Sequence, residues 1–277
     1  MDSRRATYST EIMSLDFASP SRNRQRVWGA LGWTLRLPAL AILAVPFLAL
    51  IGQTHWRHFT PAYGDLEAVR VSFVLSAWAL AIIVAVGTPL SFWLARARGW
   101  PGRAVETLVL VSLLTPSLAT GILLVCAYGP YGPVGAMLSR LGWSLNNNPA
   151  SFVVAQVYGG LAYFVISART AFENVPRTLE EAAQDLGCTP WKTFWYVSLP
   201  LTAREVATGA VIAWVRIIGE FGIAAVFSYF PQGIPVKLFV NLQNDGLQSV
   251  YVLVWLLLGL LPFPLILLSV FKRSRKI

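Results

Sequence analysis

The chain has 277 residues, 56% of them hydrophobic and only 13% charged, with a mean hydropathy of +0.59. Soluble domains carry about a quarter charged residues, so this composition excludes one and points to a polytopic membrane protein. The net charge of +9 lies beside apolar runs and not in one block, which argues for orientation signals and lipid head-group contact and against a nucleic-acid partner.

Residues 1–26 are rich in Ser, Arg and Asn and read as a tail, and the basic tail region extends to residue 36. An apolar run over about 37–54 follows, short for a span and holding Pro38 and Pro46. The long tail before it, with no small-x-small cleavage site after it, favours a first span over a signal peptide. Further apolar runs lie near 69–94, 105–128, 151–172, 203–230 and 248–271. Each reaches the ~20 residues needed to cross the hydrocarbon as a helix. Helices are required because lipid cannot satisfy open backbone groups. The expectation is an all-α membrane protein whose residues 37–277 form one domain of six transmembrane helices.

Orientation follows from Lys and Arg. One side holds Arg4, Arg5, Arg22, Arg24, Arg26 and Arg36, then Arg96, Arg98 and Arg103, then Arg169, Arg177, Lys192 and Arg204, then Lys272, Arg273, Arg275 and Lys276. The other holds Arg57, Arg140 and Lys237, a tally of seventeen against three. Both termini are therefore expected in the cytoplasm, together with the polar segment 173–200. On the opposite side, 129–150 is turn-rich and 234–242 reads as a short interfacial or re-entrant segment. Cys126 lies in an apolar run and Cys188 in a polar loop, so no disulfide is expected. His55 and His58 stand alone in one short loop, and no Cys/His spacing suits a metal.

The polar segment 173–200 carries an unusual spacing: Glu181-Ala182-Ala183, three residues, Gly187, nine residues, Val197, one residue, Leu199-Pro200. It reads as two short helices. Thr178 is placed to cap the first, with Glu181 three residues on, and Gly187 suits a left-handed stop. Thr189 caps the second with Pro190 at its first position, and Leu199-Pro200 is expected to end it. Trp191, Phe194 and Trp195 share a helix face, which would fill a partner's apolar groove. An amphipathic helix on the head groups would explain the aromatics but not the spacing.

The fifth run contains Arg216, Gly219, Glu220, Phe221 and Gly222. Ionisable residues inside a span are costly and usually face a bundle interior or a water-filled path. Arg216 and Glu220 are four apart and can pair. The pair either lines a path, leaving donors for an anion, or locks two helices. Gly219 and Gly222 permit tight packing or a hinge. No second carboxylate, nucleophile or ligand set accompanies Glu220, so no catalytic residue is assigned.

The Glu-Ala-Ala…Gly…Leu-Pro spacing resembles the EAA loop of permease subunits of ATP-binding-cassette (ABC) importers. From about residue 68 onward the chain is similar to the molybdate, tungstate and sulfate branch. The stretches that carry this are Thr115-Pro116-Ser117 through Gly121, Tyr128–Gly135, Ser167–Glu173 leading into Leu179–Ala183, Arg216–Gly222, and Gly233–Asn241 with Asp245-Gly246. The resemblance implies a MetI-like permease fold in the plasma (inner) membrane of a prokaryote, not itself an enzyme. It implies a second permease copy, in a homodimer or a heterodimer, and an extracytoplasmic substrate-binding protein. ATP and Mg would belong to cytoplasmic ATPase subunits, with no cofactor in this chain. Glu181, Ala182, Ala183, Gly187, Val197, Leu199 and Pro200 would couple to the ATPase. Thr115, Pro116, Ser117, Arg216, Gly219, Glu220 and Gly222 are candidates to line the path of an oxyanion, molybdate or tungstate. A sulfate or thiosulfate importer shares the same motifs. A membrane scaffold without an ATPase, or an intramembrane enzyme using Glu220, are readings from other classes.

Overall fold

A computed structural model describes residues 22–260, 262–264 and 266. The chain divides into two units, residues 1–57 and 58–277. In the first, α1 (Arg22–Gln53) is one helix that contains Pro38 and Pro46. It starts at Arg22, inside the stretch expected as tail. Its last 18 residues, Arg36–Gln53, are apolar enough to span a bilayer. The expected tail residues 1–21 and the basic cluster 272–276 lie outside the described residues.

The second unit runs through α2 (Asp65–Arg96), α3 (Trp100–Leu114), α4 (Ser117–Tyr128), α5 (Pro133–Arg140) and α6 (Pro149–Glu173). After these come α7 (Arg177–Asp185), α8 (Pro190–Thr193), a π-helical turn (Phe194–Ser198) and α9 (Leu199–Ile218). The rest is α10 (Gly222–Phe227), α11 (Ile234–Asp245), a 3-10 turn (Leu247–Val250) and α12 (Tyr251–Leu260). The turn-rich stretch 129–150 thus holds a short helix, α5. Asn148 closes a capping box with Ser151 at the start of α6. The segment expected at 234–242 is α11.

The count of six unbroken spans is not reached. Among the described residues four helical stretches are long and apolar enough to cross, or five if the bent α3–α4 pair is one span. The run 105–128 breaks at Thr115-Pro116, and α3 and α4 meet at 116°. Proline removes a donor and forces the residue before it out of the helical region; Thr115 is extended, at φ −68 and ψ 127. The run 203–230 also breaks, because α9 stops at Ile218 and α10 starts at Gly222. Arg204, Glu205 and Arg216 make α9 less apolar than its neighbours.

The core lies where α2, α6 and α9 pack together. Ile83, Phe164, Ala168, Ala213 and Ile217 are fully buried there. Small residues let the backbones close in, the usual device where lipid gives no hydrophobic drive between helices. A Cβ added at Gly87 would sit 2.5 Å from Cδ1 of Phe164, and one at Gly160 would sit 2.6 Å from Cγ2 of Ile217. The Trp214 indole N–H donates to Ser76 Oγ at 2.9 Å, satisfying both groups inside this interface.

Gly87→Ala forces the buried Phe164 ring to move, and the expected loss is about 1–3 kcal/mol. It should appear as a lower melting temperature of the detergent-solubilised protein. Gly259→Ala, where nothing lies within 4 Å of the added Cβ, should leave that temperature unchanged.

Candidate functional site

The segment between α6 and α9 is a helix, a tight stop and a second helix. The stop is a Schellman motif: Gly187 is left-handed at φ 89, its N–H donates to the Gln184 carbonyl at 2.8 Å, and the Cys188 N–H donates to the Ala183 carbonyl at 3.0 Å. Thr189 caps α8 through Lys192 N–H, with Pro190 next. Two expectations fail. The α7 helix begins at Arg177, so Thr178 lies within its first turn and does not cap it. The chain does not stop at Leu199-Pro200 either. The Leu199 N–H donates to the Phe194 carbonyl in a π-type bond, and the helix continues into α9 with Pro200 in its first turn. There the missing N–H of a proline does least harm.

Glu181, Ala182, Gly187 and Pro200 are exposed, while Ala183, Val197 and Leu199 are half-buried. The expected aromatic face forms, with the three rings 5.3 to 5.9 Å apart by centroid, but its members differ in burial. Phe194 turns inward against Phe92 and Phe172, with ring centroids 4.9 and 6.1 Å away. Trp191 and Trp195 stay exposed, joined by Tyr196 and Leu186, which the spacing argument missed.

Glu180, not Glu181, anchors this segment. The Arg96 guanidinium at the end of α2 donates from Nε and Nη2 to both Glu180 oxygens, at 2.9 and 2.6 Å. Its Nη1 donates to the Phe172 carbonyl of α6 at 3.0 Å, and Ser198 Oγ donates to Glu180 Oε1 at 2.7 Å. Burial alone pushes the Glu180 carboxyl up. The hydrogen bonds from Arg96 and Ser198, with the charges of Arg96 and Arg177, outweigh that and hold it below the ordinary glutamate range. Sequence reasoning treated Arg96 only as an orientation charge.

The second set of candidates gathers around the two helix breaks. Thr115, Ser117 and Arg216 line one cavity with Ser112, Thr120, Tyr158 and Tyr163. It holds about 20 Å³, room for little more than one water. Pro116 is the bend itself. Arg216 pairs with Glu220 through Nη1 and Oε2 and lies over the Tyr163 ring, 5.4 Å from its centroid. Glu220 is buried, and its Oε1 also accepts the Ile223 N–H at 3.1 Å, so one carboxylate serves both the cation and the start of α10. A Cβ at Gly222 would meet Ser117 Oγ, and the Leu118 nitrogen at 2.9 Å, so this glycine permits close packing. Gly219 does not: the nearest atom to its added Cβ is 3.9 Å away, and it merely ends α9. Thr115 Oγ1 donates to the Val111 carbonyl of its own helix at 2.6 Å.

Arg96→Ala would leave Glu180 buried without its cation, at a cost of roughly 3 kcal/mol. Hydrogen exchange over 177–198 should rise by about two orders of magnitude. In the unaltered protein the tether's contribution is complete above the ordinary glutamate value of about 4.3. It is lost as pH falls from there through the lowered folded value. Protection of 177–198, corrected for intrinsic exchange, should hold steady from neutral pH down to about 5 and collapse below it.

Residues 87–271 match the family of binding-protein-dependent transport system inner membrane components. The molybdenum transport system permease protein ModB of Mycobacterium tuberculosis is 32% identical over 221 residues, covering 76% of this chain and 83% of that protein. The molybdate/tungstate transport system permease protein WtpB of Thermococcus kodakarensis is 29% identical over 185 residues, covering 66% and 69%. A chain of a bacterial ABC transporter involved in the import of the acidic polysaccharide alginate superposes with a TM-score of 0.70 over 92% of this chain and 98% of its own, at 17% identity, a likeness of fold. With two thirds of its length matched, and with apolar helices arranged as in those transporters, the chain belongs to the family of inner membrane components of binding-protein-dependent transport systems: it is a multi-pass permease subunit of an ABC importer.

Proposed function

We propose that this permease carries molybdate or tungstate into the cytoplasm, as half of a pathway completed by a second permease copy. The observation that carries the coupling role is the exposed Glu181-Ala182…Gly187 surface on α7 and its stop, next to a second helix, α8, that continues without a loop into α9. Two relatives named for molybdenum and for molybdate/tungstate transport support the substrate. The excess of basic residues on one side supports a cytoplasmic place for 173–200 and for both termini. There two ATPase subunits would dock, one on each permease copy. An external binding protein would deliver the oxyanion from the opposite side.

ATP binding draws the two ATPase subunits together, and segment 177–198 moves with them. That motion passes along α9 to Arg216 and to the bends at Pro116 and Gly219–Gly222, and opens the path outward. Hydrolysis reverses it. In the closed arrangement Arg216 is held by Glu220, and the adjoining cavity is too small for a tetrahedral oxyanion. When the path opens, the free donors of Arg216 and the hydroxyls of Ser117 and Thr115 offer weak, transient contacts. Transit requires such contacts, because tight binding would stall release.

The test is binding-protein-dependent uptake into vesicles holding the co-expressed complex, with labelled molybdate and tungstate and excess sulfate. Saturable, ATP-dependent uptake that sulfate does not displace is expected. Displacement by sulfate moves the chain to the sulfate branch. Glu181→Lys places a cation on the docking surface and should abolish stimulated ATP hydrolysis while membrane insertion stays normal. Normal uptake in that variant would remove Glu181 from the coupling surface.

A further inference from the structure

Among the nine residues of α7, Glu180 is the one that is buried. The large apolar residues in and just past α7 point outward: Leu179 is 46% and Leu186 is 87% exposed. The first coupling helix is therefore not seated on the transmembrane body by an apolar face. It is held by a carboxylate whose oxygens reach three other elements, through Arg96 to the ends of α2 and α6 and directly to Ser198 in the π-turn. The Arg96 side chain is further fixed over the Phe92 ring, 5.5 Å from the centroid. Apolar contacts slide at little cost, whereas a two-pronged guanidinium–carboxylate contact is directional. A push on α7 therefore has two polar routes sideways: a single hydrogen bond to Ser198 in the π-turn, and the two-pronged contact that ends on the last residue of α2.

We propose that Arg96 and Glu180 are positioning residues for energy coupling: their fork transmits displacement of the coupling segment to α2, in parallel with the covalent route into α9. Helix α2 packs along both α6 and α9, so this second attachment makes the three helices turn as one body rather than letting α9 swing alone. The inference rests on the proposed function only in taking 173–200 as the segment that meets the ATPase. The anion carried does not enter it.

The experiment uses the full complex with its ATPase subunits. Hydrogen exchange is measured over 90–96 and 177–198, with and without a non-hydrolysable ATP analogue. In parallel, labelled molybdate moved per ATP hydrolysed is measured per assembled complex. In the unaltered protein the nucleotide should change exchange in both segments. In Glu180→Gln and Arg96→Met the response should stay in 177–198 and vanish from 90–96, and molybdate per ATP should fall about five- to tenfold. Arg96→Lys keeps the charge without the fork and should give intermediate values of both. It also provides the comparison if Arg96→Met fails to assemble. A merely structural contact would lower the amount of assembled complex but not the ratio within it. Persistence of the 90–96 response in Glu180→Gln, or an unchanged molybdate-to-ATP ratio there, overturns the proposal. Absence of molybdate uptake by the unaltered complex would count against the proposed function alone, since the exchange response would still decide the fork.

Discussion

Lipid offers no hydrogen bonds to an opened backbone, and this constraint governs how the chain breaks its helices. Two breaks occur in runs that would otherwise read as single spans, at Thr115-Pro116 and at Gly219–Phe221. They are packed on each other. Gly121 of α4 lies against Gly222 and Ile223, and Gly222 in turn lies against Ser117 and Leu118. Each broken end is satisfied locally, by the Thr120 N–H on the Pro116 carbonyl and by Glu220 on the Ile223 N–H. Two irregular segments that would each be intolerable beside lipid become stable once they cover one another. The hydroxyl-lined cavity and Arg216 lie at this junction.

A second pattern follows from the cost of burying charge. The two buried glutamates, Glu180 and Glu220, are each met by an arginine and by a further hydrogen-bond donor, Ser198 for Glu180 and the Ile223 N–H for Glu220. A buried carboxylate with one partner lost is strongly destabilising, so such pairs fix geometry where apolar packing leaves it loose. One pair sits by the start of α9 and the other just past its end. The helix between them has 20 residues, roughly 30 Å of rod.

Much of this was legible in the chain. The apolar runs 69–94 and 151–172 fall within the long helices α2 and α6, and the Gly187 stop and the Thr189-Pro190 start followed from local backbone chemistry alone. The Arg216–Glu220 pair followed from helical spacing, although Glu220 proved to lie past the helix end. What was hidden has physical reasons. Hydropathy averages over a window and is blind to hydrogen bonding, so two bent segments look like one span. Neighbouring helical residues differ by about 100° in direction, so Glu180 and Glu181 differ completely in environment while looking alike in sequence. In α7 the apolar Leu179 faces outward and the charged Glu180 faces in, the reverse of what an apolar pattern would indicate. Phe194 joined its tryptophans by spacing but went to the core because Phe92 and Phe172, far away in sequence, supply the other half of the contact. Arg96 was read by its charge and the side it marked, and nothing near it in sequence names Glu180.

The π-turn joins α8 to α9 with no loop between them. A loop between them would absorb displacement in soft backbone torsions, whereas a continuous helix passes it on. Proline at 200 would normally threaten that continuity, since its ring crowds the preceding turn and it donates no hydrogen bond. The wider π-turn over Phe194–Ser198 ends at that point, so α9 starts afresh with Pro200 in its tolerant first turn. At the far end, Arg216 is held by a carboxylate that belongs to the next element. A turn of α9 about its axis must therefore either carry the start of α10 with it or separate Arg216 from Glu220. Because α10 is packed on α4 beyond the proline bend, the first outcome moves the cavity wall and the second frees a guanidinium into it. Both convert a rotation of α9 into a change at the helix breaks, and neither needs a flexible hinge within α9.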